Sequence, residues 1–242
     1  MSMADRPIAF SAPMIAALEA GRKFQTRRIL KPQPVEQPTG SLLRECRPHI
    51  HLKAENAAAL VKEWPGDLPF KVRDRLWVRE AYWQWGRWML LPDEVTKGGR
   101  DKWQFEGDKH RVIFEEPRAY MLGRRASNLG VEGWHKRLGR FMPRAYSRRT
   151  LVVSDVHVHR LQDISEQDAR AEGIEPVPGG WRSYEAYPDG TPHPHSIVPN
   201  LYAKRSFMEL WNSLHGADAW ALNPWVIAIG FTQENGGGNN GG

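Results

Sequence analysis

"RRTLVVSDVHVHRLQDISEQDARAEGI", residues 148–174, joins two elements whose order decides the fold. Its first half is rich in β-branched residues and sets His157 and His159 on one face, which predicts a long strand over 148–161. Its second half carries helix punctuation. Ser165 is the cap, Asp168 completes the capping box and Gly173 is the stop, giving a short helix over 164–174. Upstream, "DRLWVREAYW" (74–83) sets Leu76 and Val78 on one face against Arg75, Trp77 and Arg79 on the other, the alternation of a second strand. "PIAF" (7–10) is a shorter strand, followed by a helix with Ser11 as cap, Pro13 in its first turn, Met14, Ile15 and Leu18 on one face and Gly21 as stop. Downstream, "KRSFMELWNSLHG" (204–216) carries the apolar stripe Phe207, Leu210, Trp211 and Leu214, and "PWVIAIGF" (224–231) is a final strand.

Between these segments the patterns weaken. Residues 38–71 offer one helix, about 54–63. Residues 84–142 are rich in Trp, Gly and charge with poor periodicity and read as an insertion of short strands or loops; residues 176–204, rich in Pro, Gly and His, read as a second. The polar, glycine-rich tail 234–242 has nothing to offset its ordering entropy. No internal repeat is visible. The expectation is a single α+β domain over 1–233, built on a small β-barrel with flanking helices and two long loop insertions.

A length of 242 residues is ample for a core, and 34 Lys+Arg against 28 Asp+Glu favours polyanionic partners. The single cysteine, Cys46, excludes an intramolecular disulfide and a cysteine-rich zinc cluster, which points to a reducing, cytoplasmic setting. No apolar run approaches the roughly 18 residues a bilayer demands, so no membrane partner is expected. His157 with His159 and His193 with His195 form two pairs, but strand histidines are ordinarily packed or surface residues, and no metal is expected. No phosphate-cradling loop or dinucleotide fingerprint occurs, and no cofactor is expected.

Two segments carry chemistry. "GRKFQTRR" (21–28) gathers four cations around one threonine directly after a helix stop. It reads either as a solvated turn or as a pocket for an anion, with Lys23 and Thr26 placed to act on it. Threonine is a poor nucleophile until a base takes its proton, and a lysine serves only if its pKa falls from about 10.4 toward neutrality. Neighbouring cations, Arg22, Arg27, Arg28 and Lys31, push Lys23 in that direction. The second segment, 118–149, holds Arg124, Arg125, Arg137 and Arg140 among further cations, with Glu132 as its only acid and Tyr120, Trp134, Phe141 and Tyr146 interleaved. That mixture suits a surface that tracks phosphates and stacks bases, as well as an ordinary solvated one.

Four blocks, "PIAFSAPMIAALEAGRKFQTRR" (7–28), "DRLWVREAY" (74–82), "MPRAYSRRTLVVSDVHVHRLQDISEQDARAEGI" (142–174) and the closing "LWNSLHG" with "NPWVIAIGF", resemble the ASCH domain in order and spacing. Within that family the chain is most similar to the ASCH proteins of bacteriophage and prophage genomes. The resemblance covers about half of the chain and leaves the two insertions unexplained. It implies a PUA-like β-barrel whose cleft, beside a Gly-x-Lys-x-x-Thr-x-Arg segment, receives nucleic acid or a nucleotide in a bacterial or phage-infected cell. Small bacterial members are amidohydrolases that remove acetyl groups from N4-acetylcytidine with a lysine, a threonine and a glutamate.

The family pattern falls here on Gly21, Lys23, Thr26 and Arg28, and the glutamate aligns without a gap at Glu172. The resemblance thus implies Lys23, Thr26 and Glu172 as the catalytic set, with Arg27, Arg28, Trp77 and Glu80 on the substrate. Arg124, Arg125, Arg137 and Arg140 are the candidate nucleic-acid contacts. One departure is Arg73, where relatives usually have glycine. Two schemes stay open: Lys23 as base with Glu172 orienting it or handling the leaving amine's proton, or Glu172 as base with Lys23 on the oxyanion. The expected function is deacylation of an N4-acylated cytosine. A non-catalytic RNA- or DNA-binding module and a nuclease are the alternatives.

Overall fold

A computed structural model of the chain describes residues 4–31, 33–36, 41–44, 52–53, 68–123, 126–185 and 198–234. The helix expected at 54–63, Arg124, Arg125, His193, His195 and the tail from 235 onward lie outside the described residues. The chain divides into two compact units. The first comprises Met1–Arg6, Pro13–Leu76 and Leu151–Gly242, and the second Pro7–Ala12 and Trp77–Thr150. In chain order the elements are β1 (Asp5–Ala9), α1 (Ala12–Glu19), β2 (Gln25–Ile29), β3 (Pro34–Glu36), β4 (Ser41–Arg44), β5 (Leu52–Lys53), β6 (Arg75–Arg79), β7 (Tyr82–Val95), β8 (Asp101–Ile113) and β9 (Gly133–Arg137). They continue with β10 (Thr150–Arg160), α2 (Glu166–Ala171), β11 (Pro176–Val177), β12 (Gly180–Trp181), α3 (Ala203–His215) and β13 (Trp225–Gln233). The fold is mixed α+β.

One five-stranded sheet has the order β1-β6-β10-β13-β2, and the boundary of the first unit falls within β1 and β6. β13 is buried from Trp225 to Ile229, as a strand covered on both faces must be, and pairs antiparallel with β10 on one side and β2 on the other. A bulge between Val153 and Asp155 interrupts β10. Leu161, Ile164, Ile174, Phe207, Trp211 and Val226 form the core that locks α2 and α3 onto this sheet. The buried stripe of α3 runs through Ala203, Phe207 and Trp211; Leu214, expected in it, is 49% exposed. Among the described residues no sheet closes on itself. β1 and β2 end the five-stranded order, so the closed barrel expected from the sequence is not observed. Nor is any described helix long and apolar enough to cross a membrane.

The second unit corrects a further expectation. Residues 82–113 are not loops or short strands but one long hairpin, in which 14-residue β7 pairs with 13-residue β8 while β9 takes the other edge of β7. The pairing shifts register between Gln84 and Gly86 and again between Leu90 and Val95. Each shift resets the two-residue alternation, which is why the segment shows no sustained period. Gly86 and Gly107 face each other at the first shift, where a Cβ on Gly86 would lie 2.2 Å from the Glu106 carbonyl oxygen.

Candidate active site

The site grows from two helix ends. α1 closes with paired bonds: Arg22 N–H donates to the Ala17 carbonyl at 2.9 Å and Gly21 N–H to that of Leu18 at 3.1 Å. This is the Schellman arrangement, and Gly21 takes the φ of +64° it requires. Lys23 N–H also donates to Ala17, at 3.2 Å, so the turn fixes where Lys23 begins. α2 is held at its other end by the capping box of Ser165 and Asp168, and Gly173 terminates it at φ +94°. A Cβ on Gly173 would stand 2.8 Å from that of Ala17 and 3.0 Å from that of Lys23. Glycine is what lets the two helix ends meet. Lys23 and Glu172 then form an isolated antiparallel bridge, and Phe24 N–H donates to the Ala171 carbonyl at 2.8 Å.

Side chains complete the junction. Lys23 Nζ donates to Glu172 Oε2 at 3.0 Å, to the Glu172 carbonyl at 2.7 Å and to the Gln25 carbonyl at 2.9 Å. Arg27 Nη1 donates to the other carboxylate oxygen, Glu172 Oε1, at 2.9 Å and to Gln25 Oε1 at 2.6 Å. Its Nη2 lies 3.4 Å from Asp168 Oδ2. Lys23 is 1%, Arg27 3% and Glu172 7% exposed. Burial pushes the Lys23 ammonium below the ordinary lysine range; Glu172 opposes this, and Arg28 and Arg27 add to it. Burial likewise lowers the Arg28 guanidinium, again against Glu172. Two guanidiniums, Arg27 and Arg28, balance the two carboxylates, Glu172 and Asp168, so the charge of the cluster is set by whether Lys23 holds its proton.

Thr26 is equally buried, yet its Oγ1 has no hydrogen-bond partner, neither Lys23 nor Glu172 nor any other. On β2 it sits opposite Ile229, while Arg28 sits opposite Ile227. Strand alternation puts Thr26 and Arg28 on one face and Gln25 and Arg27 on the other. Lys23, Thr26, Arg27, Arg28 and Glu172 thus all belong to the first unit.

The remaining candidates belong to the second unit. Glu80 is buried, and its carboxylate accepts from Arg148 at 3.2 and 2.8 Å and from Arg149 at 3.0 Å. Trp77 is buried beneath the Arg79 guanidinium, 4.6 Å from the ring centroid. Arg137 is half-buried over Phe105 at 4.1 Å, whereas Arg140 is exposed beside Phe141 at 4.9 Å. Sequence reading missed the grip of Arg27 on Glu172, which spans 145 residues, and the turn of the Lys23 side chain onto the Gln25 carbonyl. It also missed Arg111, whose guanidinium lies 3.7 Å above Trp85. Among the described residues no three His, Cys, Asp or Glu side chains converge as metal ligands. Comparison of the chain with protein-family models, with curated proteins and with solved structures returns no match.

Proposed function

We propose that this is an ASCH-type protein of PUA-like ancestry that hydrolyses the amide of an N4-acylated cytosine, free or within a nucleic acid. The observation that carries the reading is the buried Lys23–Glu172 pair, with a buried, unpartnered Thr26 hydroxyl three residues along the chain. A buried ion pair is a weak device for stability, whereas perturbed ionisable groups and orphaned hydroxyls gather where chemistry is done. The resemblance of the four sequence blocks to ASCH proteins supports the same reading.

In this mechanism neutral Lys23 takes the Thr26 proton as Oγ1 bonds to the acyl carbon. The carbon–N4 bond then breaks, the proton passes from Lys23 to N4, and cytosine leaves with its amino group restored. Water adds to the threonyl ester, giving the carboxylate and the free hydroxyl. Arg28, on the Thr26 face of β2, supplies positive charge for the oxyanion or a substrate phosphate, while Arg27 holds Glu172 in place. Glu172 is the orienting group rather than the base, since its two oxygens already accept from Lys23 and Arg27. Catalytic hydrogen bonds are often loose without substrate. The scheme requires Lys23 Nζ and Thr26 Oγ1 to come within hydrogen-bond reach once substrate is bound.

A second reading is a non-catalytic nucleic-acid module. It is favoured by the three acceptors that already satisfy Lys23 Nζ, which suit a structural clasp. Incubating the protein with N4-acetylcytidine, an acetylated oligonucleotide and plain RNA separates these readings. Release of acetate that disappears in Lys23→Arg supports Lys23 as base, because arginine keeps the charge but does not give up its proton near neutral pH. Binding without acetate release supports the module.

A further inference from the structure

We infer that the second unit carries a separate site for a single-stranded polynucleotide, receiving one base in a cleft on its hairpin beside Trp85 and Arg111. The inference does not rest on the deacylation reading, because none of its residues belongs to the Lys23–Glu172 cluster. Residues 77–150 hold 16 Lys+Arg against nine Asp+Glu, more than the whole net charge of +6. The polyanion preference of the chain therefore resides in this unit.

The cleft measures about 370 Å³ and is lined by Trp85, Arg87, Glu106, Asp108, Arg111 and Glu132. That volume sits at the small end of the roughly 300–1,000 Å³ typical of small-molecule sites, suited to one base rather than a helix. Trp85 and Trp134 face each other across β7 and β9, edge to face at 5.6 Å. The Arg111 guanidinium lies 3.7 Å from the Trp85 centroid and 5.6 Å from that of Trp134. Arg111 is exposed and lines the cleft, within reach of a flat partner that enters it. An unpaired base stacks on a guanidinium plane as it does on an aromatic ring.

Charge decides which part of the nucleotide enters. Glu106, Asp108 and Glu132 line the cleft, and although Arg87 pairs with Glu106 at 2.9 Å, carboxylates repel a phosphate. They do accept hydrogen bonds from base amino and imino groups. The base therefore goes in and the backbone stays out, where exposed Lys136, 5.6 Å from the Trp83 ring, meets phosphate. In a duplex the bases are stacked and paired and cannot enter.

The test is fluorescence anisotropy of the full chain with a labelled single-stranded 12-mer, made as RNA and as DNA, beside the same sequence as a duplex and an abasic strand of equal length. Either single strand is expected to bind at least about 10-fold tighter than the duplex and the abasic strand, because a stacked base contributes on that scale. Arg111→Ala is expected to weaken the single strand by about 5- to 50-fold and leave the abasic strand unchanged. Trp85→Phe, which keeps a ring, is expected to retain most of the affinity. Equal binding of abasic and base-bearing strands, equal binding of the duplex, or no effect of Arg111→Ala in a folded variant overturns the inference. Acetate release plays no part in the readout, so failure here and failure of the deacylation reading are distinguishable.

Discussion

Thr26 poses the sharpest question at the scale of single residues. A buried hydroxyl with no hydrogen-bond partner costs about 1–3 kcal/mol of desolvation, and nothing in the folded chain returns it. Valine has the same shape without the polar atom. Thr26→Val is therefore expected to raise stability, by up to about 1–3 kcal/mol in denaturant melts, while abolishing acyl hydrolysis and leaving substrate affinity nearly intact. A variant that is both less stable and fully active would remove Thr26 from the chemistry. Lys23 gives a pH prediction of definite sign. Burial lowers its pKa in the folded protein from 10.5, so below 10.5 the unfolded chain holds the proton over a range where the folded chain has released it. Stability from this group thus rises with pH across that window, and Lys23→Met is expected to flatten the rise in urea melts. The proposed mechanism needs the neutral amine, so kcat/KM for deacylation is expected to climb with pH through the same depressed pKa, while Lys23→Arg is expected to release no acetate across that range. Lys23 and Thr26 were legible as candidates from the cation-rich stretch after a helix stop, whereas Glu172 was reached only through the family resemblance. The pairing of Arg27 with Glu172 was not legible, since it spans 145 residues and depends on how two helix ends dock.

Local chemistry is also what made individual elements legible. The capping box at Ser165 and Asp168, the left-handed Gly21 and the buried strand β13 are each dictated by a few adjacent residues, and each was readable from the sequence. Pairing between strands is not local. The open order of the five-stranded sheet and the long hairpin both depend on partners distant in sequence, and the register shifts in β7 and β8 erased the one periodic signal available. Arg73 links the two levels. It occupies the turn before β6 at φ +75°, its N–H donating to the Val153 carbonyl at 2.8 Å, in the conformation for which glycine is the ordinary choice. The side chain is exposed. An L-residue there costs about 1–2 kcal/mol, partly offset by the extra unfolded-state freedom of glycine, so Arg73→Gly is expected to stabilise the protein by about 0.5–1 kcal/mol. Chemical denaturation of parent and variant measures it; a loss of stability would mean that the arginine side chain contributes more than its backbone strain.

Across the whole molecule, charge is unevenly shared. With 16 cations against nine acids in residues 77–150, the remainder of the chain is close to neutral, although it contains the buried Lys23–Arg27–Glu172 cluster. Two kinds of positive charge follow, with different physics. The cations of the cluster are desolvated, paired and insulated from salt, so they act at short range on a bound group. Those of the second unit include Arg118, Lys136, Arg140 and Arg144 at the surface, where a polyanion would release its counterions on meeting them. Arg137 differs from them, half-buried against Phe105 and Trp88, and is expected to matter for packing before it matters for phosphate. For single strands each phosphate contact contributes about 0.7 to the slope of log K against log salt concentration. Replacing Arg118, Lys136, Arg140 and Arg144 together by glutamine is therefore expected to make that slope shallower by up to about 3, measured by anisotropy between 50 and 300 mM salt. The same variant should still tell a base-bearing strand from an abasic one, because discrimination belongs to the Arg111 stack and not to the field. A slope left unchanged would mean that these four cations are merely solvated and that the polyanion contact lies elsewhere on the chain.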